Sequence, residues 1–134
     1  MPWFIKQETF TDAMTSLSAE ERRIHCNDHR RWVEAQRRAG LAMASGFLVD
    51  DQHKPGGGGL LVFEAESFEA AKAFIAADPM ISRNLVDWTL HEWKPVEGAL
   101  RAYAKGCSSL SSGLARVSGH QSLDLASVVS AGCQ

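Results

Sequence analysis

Apolar residues recur along the chain with two different periods, and the change from one to the other marks out the elements. The opening "WFIKQETF" is a short apolar and β-prone run that predicts a first strand. Ser18 followed three residues later by Glu21 has the spacing of a capping box. Good helix formers then continue through Arg38, and Gly40 offers a C-terminal stop. Along this helix His25, His29, Trp32 and Gln36 fall at spacings of four, three and four, with Ile24, Arg31, Ala35 and Ala39 as an adjacent stripe. One side can pack on a sheet while its margin lines a pocket. "LAMASGFLVD" predicts a second strand, "DQHKPGGGG" a flexible hairpin connection, and "LLVFEAE" a third strand. In "SFEAAKAFIAADP", Ser67 starts a second helix, Phe68, Ala71, Phe74 and Ile75 give it an apolar face, and Pro79 ends it. "LVDWTLHEWKPV" alternates Val86, Trp88, Leu90 and Glu92 against Leu85, Asp87, Thr89 and His91, a fourth strand stopped by Pro95.

The order strand, helix, strand, strand, helix, strand predicts an α+β fold. It suits the ferredoxin-like βαββαβ arrangement, a four-stranded antiparallel sheet with both helices on one face. The other sheet face then carries Trp, Phe and Val without cover, and a face-to-face homodimer is expected to bury it. Residues 1–97 are expected to form this domain. From Gly98 the character changes to "GCSSLSSG" and "LDLASVVSAGCQ", which reads as a C-terminal extension over 98–134, packed, swapped or flexible.

Composition narrows the partners. With 45% hydrophobic and 22% charged residues and a net charge of -2, the chain offers nucleic acid no overall attraction. The arginines between Arg22 and Arg38 are interleaved with Asp28 and Glu34 and read as a solvated helix face. No apolar run reaches membrane-spanning length and the N-terminus lacks a leader pattern, so a soluble cytoplasmic protein with no membrane partner is expected. Cys26, Cys107 and Cys133 are odd in number and form no CxxC, which argues against a disulfide framework or a thiolate zinc site and for a reducing compartment. "GGGG" lacks the GxxxxGK[ST] arrangement of a nucleotide loop.

The candidate chemistry centres on the histidines. His25 and His29, four apart on one helix face, could hold a metal with His53, Asp50 or Asp51, but the glutamate of HExxH is missing and neither metal nor cofactor is expected. A second reading has His25 in solvent and His29 packed. A third makes His29 a proton-transfer group with Asp78, whose carboxylate would fix the imidazole tautomer and support its charged form. Asp78 could equally hydrogen-bond the turn at Pro79. Pocket candidates around this pair are Trp32 as an apolar wall or core residue, Gly46 as a close backbone approach or a bend, His25, and Arg30 as an attractor of acids.

"DHRRWVEAQRRAGLAMASGF", "LLVFEAESFEAAKAFIAADPM" and "LVDWTLHEWKPV" together resemble the YciI-like (YCII-related) family over residues 1 to 97. The resemblance implies a dimeric ferredoxin-like domain of the dimeric α/β-barrel type, related in shape to muconolactone isomerases, with a His and Asp active-site pair that falls on His29 and Asp78. One member type is a dehydrochlorinase of a chlorinated hydroxyquinol. The activity implied is a cofactor-independent lyase or isomerase acting on a cyclic or aromatic oxygenated compound. The extra His25, the "DQHKPGGGG" stretch and the long tail depart from the short family form, and the alternative is a noncatalytic dimeric binding or accessory protein.

Overall fold

A computed structural model describes residues 1–98; the extension expected beyond them lies outside the described residues. Four strands, β1 (Trp3–Phe10), β2 (Met43–Val49), β3 (Pro55–Glu64) and β4 (Val86–Trp93), form one antiparallel sheet in the order β2-β3-β1-β4. Between them lie α1 (Asp12–Thr15), α2 (Ala19–Arg38), α3 (Phe68–Ala76) and α4 (Pro79–Ser82). This is the ferredoxin-like arrangement. The two longer helices occupy the predicted places, and α1 and α4 are single turns that the residue pattern did not announce.

Local chemistry sets the helix ends. The Ser18 hydroxyl accepts from the Glu21 amide and the Glu21 carboxylate accepts from the Ser18 amide, both at 3.1 Å, which completes the capping box of α2. At its other end Gly40 takes φ +94°, and Leu41 and Gly40 donate to the Gln36 and Arg37 carbonyls, a Schellman closure. Pro79 ends the preceding helix as expected but also opens α4, because its fixed φ suits a first helical position.

Alternation along the strands sorts side chains onto two faces. Phe4, Lys6, Glu8 and Phe10 of β1 share the helix-covered face with Leu61 and Phe63 of β3 and Val86, Trp88 and Leu90 of β4. Phe4, Leu61, Phe63, Ala71, Ile75 and Leu90 build the main core, with Trp32 and Phe74 packed against it at a ring separation of 4.9 Å. A second cluster of Met14, Cys26, Met80, Leu85 and Val86 lies under α1 and α4. Cys26 is buried in this cluster, and Cys107 and Cys133 lie outside the described residues. On the far face Trp3, Ile5, Leu60, Val62 and Trp93 are only half-buried among the described residues.

The glycine run is strand, not connection. Phe47 pairs with Gly59, and Val49 with Pro55 across a register shift, so the hairpin loop is confined to residues 50–54. A Cβ on Gly58, whose φ is +87°, would stand 2.2 Å from the Glu8 carbonyl oxygen, so β3 passes too close to β1 for any larger residue there.

Candidate functional site

Strand β1, helix α2 and the α3–α4 junction deliver three ionisable side chains to one buried place. His29 comes from the sheet-facing side of α2, one turn before Trp32, and its ring lies 6.1 Å from the indole. Asp78 is the N-cap of α4, with no exposed side-chain surface. Lys6 comes from the centre of β1 and is 1% exposed.

Asp78 is saturated with donors. Its Oδ1 accepts from the Met80 amide at 3.0 Å and lies 2.9 Å from His29 Nδ1, while Oδ2 accepts from Lys6 Nζ at 2.8 Å. Burial alone would raise the Asp78 carboxyl, but the hydrogen bond and charge of His29 and the charge and hydrogen bond of Lys6 outweigh it, and the group is held below the usual carboxylate range. An ionised carboxylate only accepts, so Nδ1 carries the proton facing Asp78. In the neutral ring Nε2 then holds the lone pair. That nitrogen points toward the Ser45 hydroxyl at 3.4 Å, and His29 keeps 17% exposure. The arrangement can take a proton at Nε2 while Asp78 steadies the resulting imidazolium.

Glu8 continues the cluster. Its Oε2 lies 2.6 Å from Lys6 Nζ, an ion pair whose alignment falls short of a hydrogen bond, and its side chain is 11% exposed. Two carboxylates thus share one buried ammonium. Lys6, Glu8 and Ser45 were not singled out from the sequence. The available signal was phase: in "FIKQETF" the alternation that turns Phe4 inward also turns Lys6 and Glu8 inward, and an inward charge in a central strand calls for a partner.

The other predicted pocket residues go elsewhere. Gly46 sits one position beyond Ser45 and therefore faces away from the helices, so it does not approach His29, and no atom outside its immediate neighbours lies within 4 Å of a Cβ built there. Arg30 is exposed on the outer side of α2, where Asn27, Arg30, Arg31, Glu34, Ala35 and Arg38 line an open depression that excludes His29 and Asp78. His25 is engaged by Arg83, whose Nη1 is 2.8 Å from His25 Nδ1 and 2.8 Å from Asp28 Oδ2. The Arg83 guanidinium, by hydrogen bond and charge, holds the half-buried Asp28 carboxyl below its usual range against the opposing effect of burial. Trp32 packs on Phe74 beside His29, so it serves the core and borders the site together. Among the described residues no group of three or more His, Cys, Asp or Glu side chains is placed to hold a metal ion.

The sequence profile of the YCII-related domain matches residues 6–94, a span that takes in Lys6, His29 and Asp78. The chain belongs to the YCII-related domain family. Among solved structures, the 5-chloro-2-hydroxyhydroquinone dehydrochlorinase TftG of Burkholderia phenoliruptrix AC1100, determined in complex with 2,5-dihydroxybenzoquinone, is similar at 21% identity and a TM-score of 0.51. That match covers 69% of this chain and 93% of the other. The protein At3g17210 of Arabidopsis thaliana is similar at 17% identity and a TM-score of 0.43, covering 74% of this chain and 99% of the other. No curated protein matches the chain. For this YCII-related protein the TftG likeness supports the fold, and no helix among the described residues is long and apolar enough to cross a membrane.

Proposed function

We propose that this YCII-related protein is a cofactor-independent lyase or isomerase for a cyclic or aromatic oxygenated compound. In this reading His29 is the proton-transfer group and Asp78 the residue that orients and charges it. The observation that carries the proposal is the 2.9 Å contact of His29 Nδ1 with an Asp78 carboxylate that is fully buried, ionised and itself held by Lys6. A structural aspartate would need only the Met80 amide, and a packed histidine would need no buried charge beneath it. Nε2 would take a proton from the bound ring. For a chlorinated hydroxylated ring in a keto tautomer, with its chlorine on a tetrahedral carbon, that proton would come from a ring hydroxyl: the O–H electron pair would form a carbonyl, the ring double bond would shift onto the chlorine-bearing carbon, and chloride would depart as the carbon–chlorine bond breaks. Trp32 would flank the ring.

The activity named for the Burkholderia protein supplies the first assay: chloride release from 5-chloro-2-hydroxyhydroquinone, followed by ion chromatography. His29→Ala and Asp78→Asn are expected to lower the rate by about 10²–10⁴-fold, the usual worth of positioned proton transfer, while remaining folded. Folded variants with the parent's rate and pH profile would overturn the assignment.

The noncatalytic reading draws on the cap that Asp78 gives α4, a sufficient structural use for that residue. It expects His29→Ala to lower stability without touching any turnover. In either case we propose residues 1–97 as the functional unit and a homodimer joined through the half-buried sheet face of Trp3, Ile5, Leu60 and Val62. A light-scattering mass of one chain at micromolar concentration would exclude that assembly.

A further inference from the structure

The glycine run and the second carboxylate explain each other. Across the helix-covered face, one row of paired positions reads Phe47, Gly59, Glu8 and Trp88. The row is three strand spacings wide, about 14 Å between the outer backbones, and its inner floor has no side chain at Gly59. A Cβ on Gly59 would stand 2.9 Å from Glu8 Cγ and 3.0 Å from Oε1, so the Glu8 side chain leans into the space that this glycine leaves. One row further along the same face come Ser45, Leu61 and Lys6, and His29 reaches down to Ser45. The Glu8 side chain, lying over Gly59, is therefore one row away from the positions that Ser45 and Lys6 give to the His29 site, with Phe47 and Trp88 at the two ends of its own row.

Glycines inside a strand weaken it. Gly58 admits the β1 backbone and Gly59 the Glu8 side chain, which offsets what these glycines cost, whereas the second carboxylate has no such return. A second carboxylate on a lysine already paired with Asp78 leaves the buried cluster one positive charge short while His29 is neutral. Lys6 holds Oε2 completely buried, and no hydrogen bond reaches Oε1 among the described residues. One oxygen is anchored and its twin is open to a donor.

We propose that Glu8 is a substrate-contacting carboxylate of this site, accepting a hydrogen bond through Oε1 from a hydroxyl on the bound ring, with Gly59 leaving the room in which the Glu8 side chain lies. The substrate class narrows to neutral rings carrying at least one hydroxyl, because an acceptor-only carboxylate repels a ring carboxylate and gains nothing from an ether. This rests on the ring chemistry proposed for His29 and Asp78.

The probes are resorcinol and 1,3-dimethoxybenzene, titrated by NMR into the full chain, with Glu8→Gln and Gly59→Ala beside the parent. The parent is expected to favour the diol by about tenfold or more, the worth of a hydrogen bond to a charged acceptor, and both variants to lose that preference. Gly59→Ala keeps the test open if Glu8→Gln does not fold. A preference undiminished in the variants, or a parent that does not distinguish the two probes, overturns the proposal. Chloride release separates the two levels. A parent that releases no chloride but loses its diol preference with Glu8→Gln keeps Glu8 and removes the His29 chemistry; active parent with preference unchanged in Glu8→Gln does the reverse.

Discussion

Lys6→Met is the substitution whose effect the structure defines most sharply. The ammonium is 1% exposed and 2.8 Å from an Asp78 oxygen with no exposure at all. At an effective dielectric near 20, that separation corresponds to about 6 kcal/mol of attraction, most of which offsets the cost of taking both ions out of water. Removing one partner of such a pair typically costs about 3–5 kcal/mol, because the other charge stays buried. Here the lower end applies: Asp78 keeps the His29 ring and the Met80 amide, and Glu8 has some access to water. A loss of about 3 kcal/mol, with a urea dependence of about 1.5 kcal/mol per molar, lowers the unfolding midpoint by about 2 M at pH 7. The pH dependence has a fixed sign. Asp78 is depressed in the folded state, so its contribution is present above the ordinary aspartate value and is lost as pH falls below that value through the folded one. Lys6 supplies part of that depression, so parent and variant differ most near neutrality and converge as the carboxyl protonates. A midpoint within about 0.3 M of the parent at pH 7, or a difference that widens in acid, would refute the picture of Lys6 as a desolvated counter-ion.

Two further contrasts are expected. Gly58→Ala should cost about 2 kcal/mol or more in thermal or urea unfolding, since the residue has φ +87° and a Cβ would meet the Glu8 carbonyl oxygen, whereas Gly46→Ala, with nothing in its way, should stay within about 0.5 kcal/mol of the parent. Carboxyl-detected NMR should show Asp28 titrating below an ordinary aspartate, and Arg83→Gln should return it toward the ordinary value; an Asp28 midpoint indifferent to Arg83 would remove the bridge between α4 and α2.

Much of the fold was legible because its signals are local. The capping box at Ser18 and Glu21, the stop at Gly40, the start at Ser67 and the alternation through Val86, Trp88 and Leu90 all stand in the structure at the positions read from the chain. What was missed depended on context. A proline after nine helical residues reads as a terminator, and only the sharp turn at Asp78 lets Pro79 begin a second helical turn. Four glycines read as a loop by propensity, and the close approach of β1 that makes them strand is a tertiary fact. The meeting of His29 with Asp78 was anticipated mainly through the family resemblance; their separation of 49 positions carries no local signal. Lys6 and Glu8 were hidden by treating the first strand as a uniformly β-prone run. Gly46 was put forward where its neighbour Ser45 reaches His29, an error of one position that in a strand is an error of face.

Strand β1 is central, hydrogen-bonded to β3 on one side and β4 on the other, and its odd and even residues do different work. Inserting or deleting one residue between Phe4 and Lys6 would reverse the facing of one with respect to the other, so that both could no longer enter the helix layer, against two neighbouring registers at once. Length variation is therefore closed to this segment, and descendants of the chain can explore new chemistry there only by exchanging one residue for another. The 50–54 loop, paired on one side to an edge strand, carries no such restriction and is where lineages can lengthen the protein without disturbing what lies beneath α2.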